Sequence, residues 1–257
     1  MFFVSLVVAD PAWCETKRLA LLVSNHSGGE GLAQLRYAER DATRLQEVLQ
    51  EVGGFSSDDV VLLRDEESPD FLQALADLER RSQTYQAQGF ETVLLVYYSG
   101  HAENGMLRMG ESKMPMGLLR IHLENSNAQV RLAFIDSCGA GAISEKGGRK
   151  APPFLFHVDD KLQARGQVII ASSSSDEVSQ ESDEVQGSFF THYLVSGMRG
   201  DADENKNGKV TLDEAYRYAY RRTVAATSNT RSGAQHPTYD YHIKGAGDVV
   251  LTQFSLG

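Results

Sequence analysis

Cysteine is scarce in this chain: Cys14 and Cys138 are its only two. They lie in unlike contexts, so no disulfide framework can be drawn from them, and a reducing compartment is expected. No apolar run reaches the ~20 residues that a membrane-spanning helix needs. The short apolar stretch Met1 to Ala9 has neither a basic leader nor a small-x-small cleavage site. A lead-in over residues 1–16, or an edge strand, is expected there in a cytoplasmic protein, with export as the alternative. Basic side chains are outnumbered, 25 Lys and Arg against 35 Asp and Glu, for a formal charge of −10. That balance argues against nucleic acid, which needs a basic face to neutralise phosphate. The Gly-rich loop Asn25 to Gly31 is followed by no Gly-Lys-Ser/Thr, so it is not a phosphate loop. His26, His122, His157, His192, His236 and His242 show no metal-ligand spacing.

What is present is an alternation of strand and helix patterns. Leu19 to Ser24, Val60 to Leu63 and Thr92 to Tyr98 read as buried strands. Between them, Ala38 to Val52 and a segment opening at Ser68-Pro69-Asp70, with Ser68 as cap residue and Pro69 at the first helical position, read as amphipathic helices. Strict alternation predicts an α/β domain built on a parallel, doubly wound sheet. Further on, Met106 to Met109 suggests a hairpin, Met116 to Glu124 a short helix, and Gln167 to Ala171 another strand. Ser188 caps a helix running to about Met198, Leu212 to Ala226 is helical, and Asp248 to Thr252 is the last strand. A Tyr216, Tyr220, Val224 stripe at helical intervals reads as core packing.

Two strand ends carry reactive groups. Leu94-Leu95-Val96-Tyr97-Tyr98 runs into Ser99-Gly100-His101-Ala102, and Leu132-Ala133-Phe134-Ile135 runs into Asp136-Ser137-Cys138-Gly139-Ala140-Gly141. Apolar runs of this kind suit strands buried on both faces, and sites in open α/β sheets form outside their carboxyl ends. A thiolate is the nucleophilic form of cysteine, and a nearby imidazole can take the thiol proton and return it to a leaving amine. The small residues after Cys138 permit a sharp turn and expose N–H groups to an oxyanion. The oxyanion donors expected are the N–H groups of Cys138 and of Ala102 or Gly100.

These motifs resemble the His and Cys motifs of the caspase-like cysteine peptidases. They are closer to metacaspases and bacterial caspase homologues, with Ser-Gly-His-Gly and Asp-Ser-Cys-His-Ser-Gly, than to animal caspases. Ala102 stands where that pattern has Gly, and Gly139-Ala140 where it has His-Ser. The resemblance implies a three-layer sandwich, a mostly parallel six-stranded sheet flanked by helices, forming one domain over residues 17–257. It implies a large part to about residue 143, a linker over about 144–165 and a small part over about 166–257. It also implies a cysteine endopeptidase with catalytic His101 and Cys138, acting on protein substrates and needing no cofactor. The charged, Gly/Pro-rich linker has Arg149, Lys150 and Arg165 as candidate cut sites of a zymogen, cut by itself or by an upstream protease.

Asp136 lies two residues before Cys138, so in a strand both side chains leave on the same side. A carboxylate beside a thiol that must ionise is unfavourable unless a substrate cation pairs with it. In metacaspases the matching Asp lines a pocket for a P1 Arg or Lys. The second acid of that pocket corresponds to Asp41, within Glu39-Arg40-Asp41-Ala42, which could instead serve the helix dipole. In the resembling families the loop after the strand ending at Ala171 helps form the cleft, which makes Ser172 a candidate substrate-binding residue.

Residues 203–214 fit the twelve-residue EF-hand loop in spacing. Asp203, Asn205, Asn207, the Lys209 carbonyl, Thr211 and Glu214 would be the ligands of a structural Ca²⁺. An ion-free cap-and-turn structure is the competing reading. A monomer without membrane or nucleic-acid partners is expected. The alternatives to a peptidase are a non-catalytic caspase-like adaptor and a calcium-responsive binding module.

Overall fold

Apolar runs of strand length lie side by side in the computed structural model, which describes residues 16–29, 31–138, 165–244 and 248–254. The first half contains β1 (Thr16–Ser24), α1 (Ala38–Glu51), β2 (Val60–Arg64), α2 (Ser68–Ala87) and β3 (Glu91–Ser99). Three short strands follow, β4 (Ala102–Glu103), β5 (Met106–Met109) and β6 (Ser112–Pro115), then α3 (Met116–Asn125) and β7 (Val130–Asp136). The second half contains β8 (Arg165–Ala171), the hairpin β9 (Glu181–Ser182) and β10 (Gly187–Ser188), and α4 (Phe189–Ser196). It ends with β11 (Lys209–Thr211), α5 (Leu212–Thr227), β12 (Thr238–Lys244) and β13 (Val250–Gln253).

The main sheet has six strands in the order β12-β8-β7-β3-β1-β2. All pair in parallel except β12, which runs antiparallel to β8 at the edge. Both faces are covered, which explains the unbroken apolar runs of the central strands. Leu22, Leu95, Tyr97 and Phe134 face α1, α4 and α5, while Leu21, Val96, Tyr98 and Ile135 face α2 and α3. A mostly parallel six-stranded sheet between two helical layers is therefore the architecture. The stripe residue Tyr216 is buried in the first of these layers, with Tyr220 packed against it.

Three local differences from the sequence reading have physical reasons. β12 is a strand the reading missed; its Tyr239, Tyr241 and Ile243 alternate and pack on the core. Ser68 does not cap α2, because Glu67 is the capping residue and makes no side-chain bond. The Ser68 N–H instead donates to Ser112 Oγ at 2.8 Å, where the turn between β5 and β6 docks on the helix start. The last strand begins two residues later than expected, at Val250, because Asp248 folds back to accept the Val249 N–H.

Candidate active site

Sheet register brings the two motifs to one edge. Ser99 is the partner of Asp136, so His101 and Cys138 each lie two residues beyond a paired position on neighbouring parallel strands. The pairing continues past the strand ends, since the Gly100 N–H donates to the Asp136 carbonyl at 3.2 Å. That bond corrects the expectation for Gly100, whose N–H is engaged and not directed at an oxyanion. Ala102 opens β4, and Cys138 sits at the turn after β7.

The His101 segment is fixed from three sides. The Tyr98 hydroxyl lies 2.8 Å from the His101 carbonyl and 2.5 Å from that of Arg108, donating to this pair. The Arg108 N–H donates to the same His101 carbonyl at 2.9 Å. The ring itself donates from Nε2 to the Ala33 carbonyl at 2.7 Å. A carbonyl can only accept, so the proton sits on Nε2 and Nδ1 is the basic nitrogen. Gly28 lets the loop come this close: a Cβ there would lie 2.7 Å from His101 Cδ2.

Cys138 is half-buried and a free thiol. Its sulfur faces the Ser179 carbonyl at 4.0 Å. Burial pushes the thiol above its ordinary range; the Ser179 contact opposes that, and the Asp136 charge adds to it. Among the described residues, the partners of the ring and the sulfur are thus carbonyls, and the two groups are not hydrogen-bonded to each other.

Two buried acids lie beside this pair. Asp136 accepts hydroxyl bonds from Ser179 and Thr191 at 2.6 Å each, and a third from Ser188. Thr191 in turn is 2.9 Å from the buried Tyr97 hydroxyl, so the acid is anchored to the core of β3. Asp41, in the first turn of α1, is fully buried and accepts the Ser188 N–H at 2.8 Å through Oδ2. Among the described residues, its Oδ1 has no partner. Burial pushes the Asp41 carboxyl up to about 8, with the Ser188 N–H opposing and the Asp136 charge reinforcing the rise. A Cβ on Gly187 would fall 2.4 Å from that orphan oxygen, so only glycine lets this backbone approach Asp41 so closely.

The hairpin β9–β10 is docked on the start of α1, which lacks a side-chain cap of its own. The Glu181 carboxylate accepts the N–H groups of Arg36 and Tyr37 at 3.1 and 3.2 Å, tying the residues that lead into α1 to a distant segment. Asp183 accepts from the Arg36 guanidinium at 2.9 and 3.1 Å and from the Tyr37 hydroxyl at 2.5 Å. The sequence reading missed Ser179, Ser188, Thr191 and Gln235, which hold the acids and loops together. Only Ser188 carried a signal, as a helix cap; it does cap α4, and the same hydroxyl also reaches Asp136.

Ser172 is fully buried, and its hydroxyl donates to the Ser137 carbonyl at 3.4 Å. It braces the turn before Cys138 and presents no group to a ligand, which corrects its expected role. Arg165 opens β8 opposite Lys244, exposed, while Arg149 and Lys150 lie outside the described residues. In the 203–214 loop the side-chain oxygens serve the loop itself. Asp203 accepts the N–H groups of Asn207 and Gly208, Asn205 that of Asn207, and Asn207 that of Lys209. Glu214 forms a capping box with Thr211 and accepts from the Asn205 amide at 3.1 Å. Among the described residues, no three His, Cys, Asp or Glu side chains are gathered for a metal.

Comparison with known proteins identifies the fold and the family. No curated protein matches the chain. Among solved structures, caspase-1 from Spodoptera frugiperda superposes with a TM-score of 0.63 at 16% identity, covering 93% of this chain and 92% of that one. At that identity the likeness establishes the fold. The profile of the caspase domain matches residues 17–245, most of the chain. The chain belongs to the caspase-domain family of cysteine peptidases.

Proposed function

We propose that this chain is a cysteine endopeptidase that cleaves after Arg or Lys through a His101–Cys138 dyad. The observation that carries the specificity is the orphan Oδ1 of Asp41, fully buried beside the hydroxyl-bound Asp136. A buried carboxyl oxygen without a partner is costly and rare in folded proteins, and a cation arriving with the substrate would draw this acid into its charged form and satisfy it. Arg44, near the same Gly187 position, favours the charged form of Asp41 through space but gives its hydrogen bonds to the carbonyls of Val185 and Gln186, so it does not bond that oxygen.

In this mechanism His101 Nδ1 takes the Cys138 proton as sulfur attacks the scissile carbonyl carbon. The Ala33 carbonyl holds the ring in the required tautomer and would stabilise the imidazolium that forms. The oxyanion is received by the N–H groups of Cys138 and Ala102. Collapse breaks the C–N bond, and the imidazolium returns its proton to the amine. Water then hydrolyses the thioester, with His101 taking its proton and passing it to the departing sulfur. Autocatalytic or upstream cleavage at Arg149, Lys150 or Arg165 fits the same specificity. Reporter peptides differing only in P1 test the reading. Arg and Lys peptides should turn over, Asp and Ala peptides should not, and Cys138→Ala should abolish activity. Removing one partner of a buried ion pair costs ~3–5 kcal/mol, so Asp41→Asn should lower kcat/KM on the Arg peptide by at least about 10²-fold. Equal turnover of Asp and Arg peptides would dismiss the acid pocket.

A structural Ca²⁺ in the 203–214 loop is a separate proposal. The donor set fits in type, with two carboxylates, amide oxygens, a hydroxyl and a carbonyl, but its oxygens are already engaged. Binding should therefore be weak, in the ~10⁻⁴–10⁻³ M class. A rise in Tm with millimolar CaCl₂ that Glu214→Gln removes would support it; no rise would end it.

A further inference from the structure

We propose that Gln235 is a positioning residue for substrate recognition, whose amide holds residues 179–180 in place between Asp136 and the Cys138 sulfur. The inference rests on reading Asp41 and Asp136 as the P1 wall. Gln235 lies between α5 and β12 and is fully buried. Its Nε2 donates to the Ser172 carbonyl at 2.8 Å and lies 3.4 Å from Ser179 Oγ. Its Oε1 accepts the Gln180 N–H at 3.0 Å. Its own N–H donates to Thr227 Oγ1 at 2.8 Å, and that hydroxyl donates to the Thr223 carbonyl, which fixes the residue to α5.

One residue therefore joins the end of β8 and the segment entering β9 through its side-chain amide, and the last turn of α5 through its backbone N–H. What it holds is consequential. The Ser179 hydroxyl donates to Asp136 Oδ1 at 2.6 Å, and the Ser179 carbonyl is the group facing Cys138 Sγ. Ser179 so touches both the acid and the nucleophile, while Gln235 touches neither. The residue must supply a donor and an acceptor at once, about a side chain's reach from its backbone, which glutamine does. Two other ties join the same loops, Gln180 Nε2 to the Gly233 carbonyl at 2.9 Å and Glu177 to His236 at 2.7 Å. The Glu177–His236 pair is partly exposed and so weaker in water.

The test is steady-state kinetics on an Arg-P1 reporter with wild type, Gln235→Met and Ser179→Ala, beside thermal unfolding. Gln235→Met keeps the length and removes donor and acceptor. Loss of the amide bonds that hold residues 179–180 should raise KM about tenfold, with kcat within about threefold of wild type. A purely structural role would lower Tm and leave KM alone, so KM within about twofold in a folded variant overturns the proposal. If Gln235→Met does not fold, the same KM shift in Ser179→Ala supports it, and an unchanged KM overturns it. Should wild type turn over only a reporter with a non-basic P1 residue, the acid-pocket reading falls, and the KM split on that reporter decides for Gln235. Should wild type cleave nothing, alkylation of Cys138 by iodoacetamide decides. A rate changed by at least about threefold in Gln235→Met supports the tie to the Ser179 carbonyl, and equal rates overturn it.

Discussion

Replacing Asp41 by Asn should stabilise the empty protein at neutral and alkaline pH while destroying its selectivity for basic residues. The folded-state carboxyl sits at about 8 against an ordinary 3.8. For an acid shifted upward, folding binds a proton that the unfolded chain releases above pH 4 or so. No stability is lost to this group below pH ~4, and the loss grows as pH rises toward about 8, where it levels off. Each pH unit of that window corresponds to about 1.4 kcal/mol. At pH 7 the burial of Asp41 therefore costs about 4 kcal/mol, and at pH 9 about 6, as upper figures because the site can relax. An Asn retains an oxygen for the Ser188 N–H and places its amide where the orphan oxygen was, without a charge to desolvate. Urea unfolding of Cys138→Ala and of Cys138→Ala/Asp41→Asn at pH 5, 7 and 9 reads the difference without self-cleavage. The gain should increase with pH across this series. A difference that does not change with pH, or a variant less stable at pH 9, would refute the assignment of Asp41 as a carboxyl strained by burial.

Gly187→Ala should drive a methyl to within 2.4 Å of Asp41 Oδ1 and displace that carboxyl, so kcat/KM on Arg peptides should fall at least about tenfold in a protein that still folds; retained activity would show that the placement of Asp41 does not set the specificity. Tyr98→Phe removes the hydroxyl that holds the His101 and Arg108 carbonyls. It should cost ~1–3 kcal/mol in urea unfolding and lower kcat more than KM is raised, since it acts on the ring and not on the pocket. In the free protein, burial holds the Cys138 thiol above its ordinary 9.0, so its alkylation by iodoacetamide should rise about tenfold per pH unit between pH 6 and 8. A fast, pH-independent reaction at pH 6 would instead indicate a preformed thiolate–imidazolium pair.

The sheet was legible because its central strands are buried on both faces, so Leu94 to Tyr98 and Leu132 to Ile135 could be read without any partner in view. The edge strand β12 was not, since Thr238 to Lys244 mixes Tyr and Ile with Asp, His and Lys and follows a long turn region. Asp41 and Asp136 could be named from the motifs, yet their chemistry could not. One has three hydroxyl donors and the other an oxygen with none, and those donors come from positions 179, 188 and 191. Nothing in local sequence ties Ser179 to Gln235 or Glu181 to Tyr37, because these contacts are set by how loops from separate elements meet. Gly100 was misjudged for a similar reason: its N–H looked free in the motif and is taken by the neighbouring strand.

Ser188 shows why nucleophile and pocket can be organised by different means. His101 and Cys138 owe their placement to register between two central strands, which is rigid. Asp41 and Asp136 come from different elements, α1 and β7, and meet across one residue: the Ser188 N–H binds the first and its hydroxyl the second. The same hydroxyl caps α4 by accepting the Thr191 N–H at 3.0 Å, and Thr191 returns its own hydroxyl to Asp136. The start of α4 is thus oriented by the acids it serves, and a shift of the β9–β10 hairpin would move both carboxylates' donors together. Changes in that hairpin can retune which side chain the cleft accepts while the strand ends keep the sulfur and the imidazole where they are.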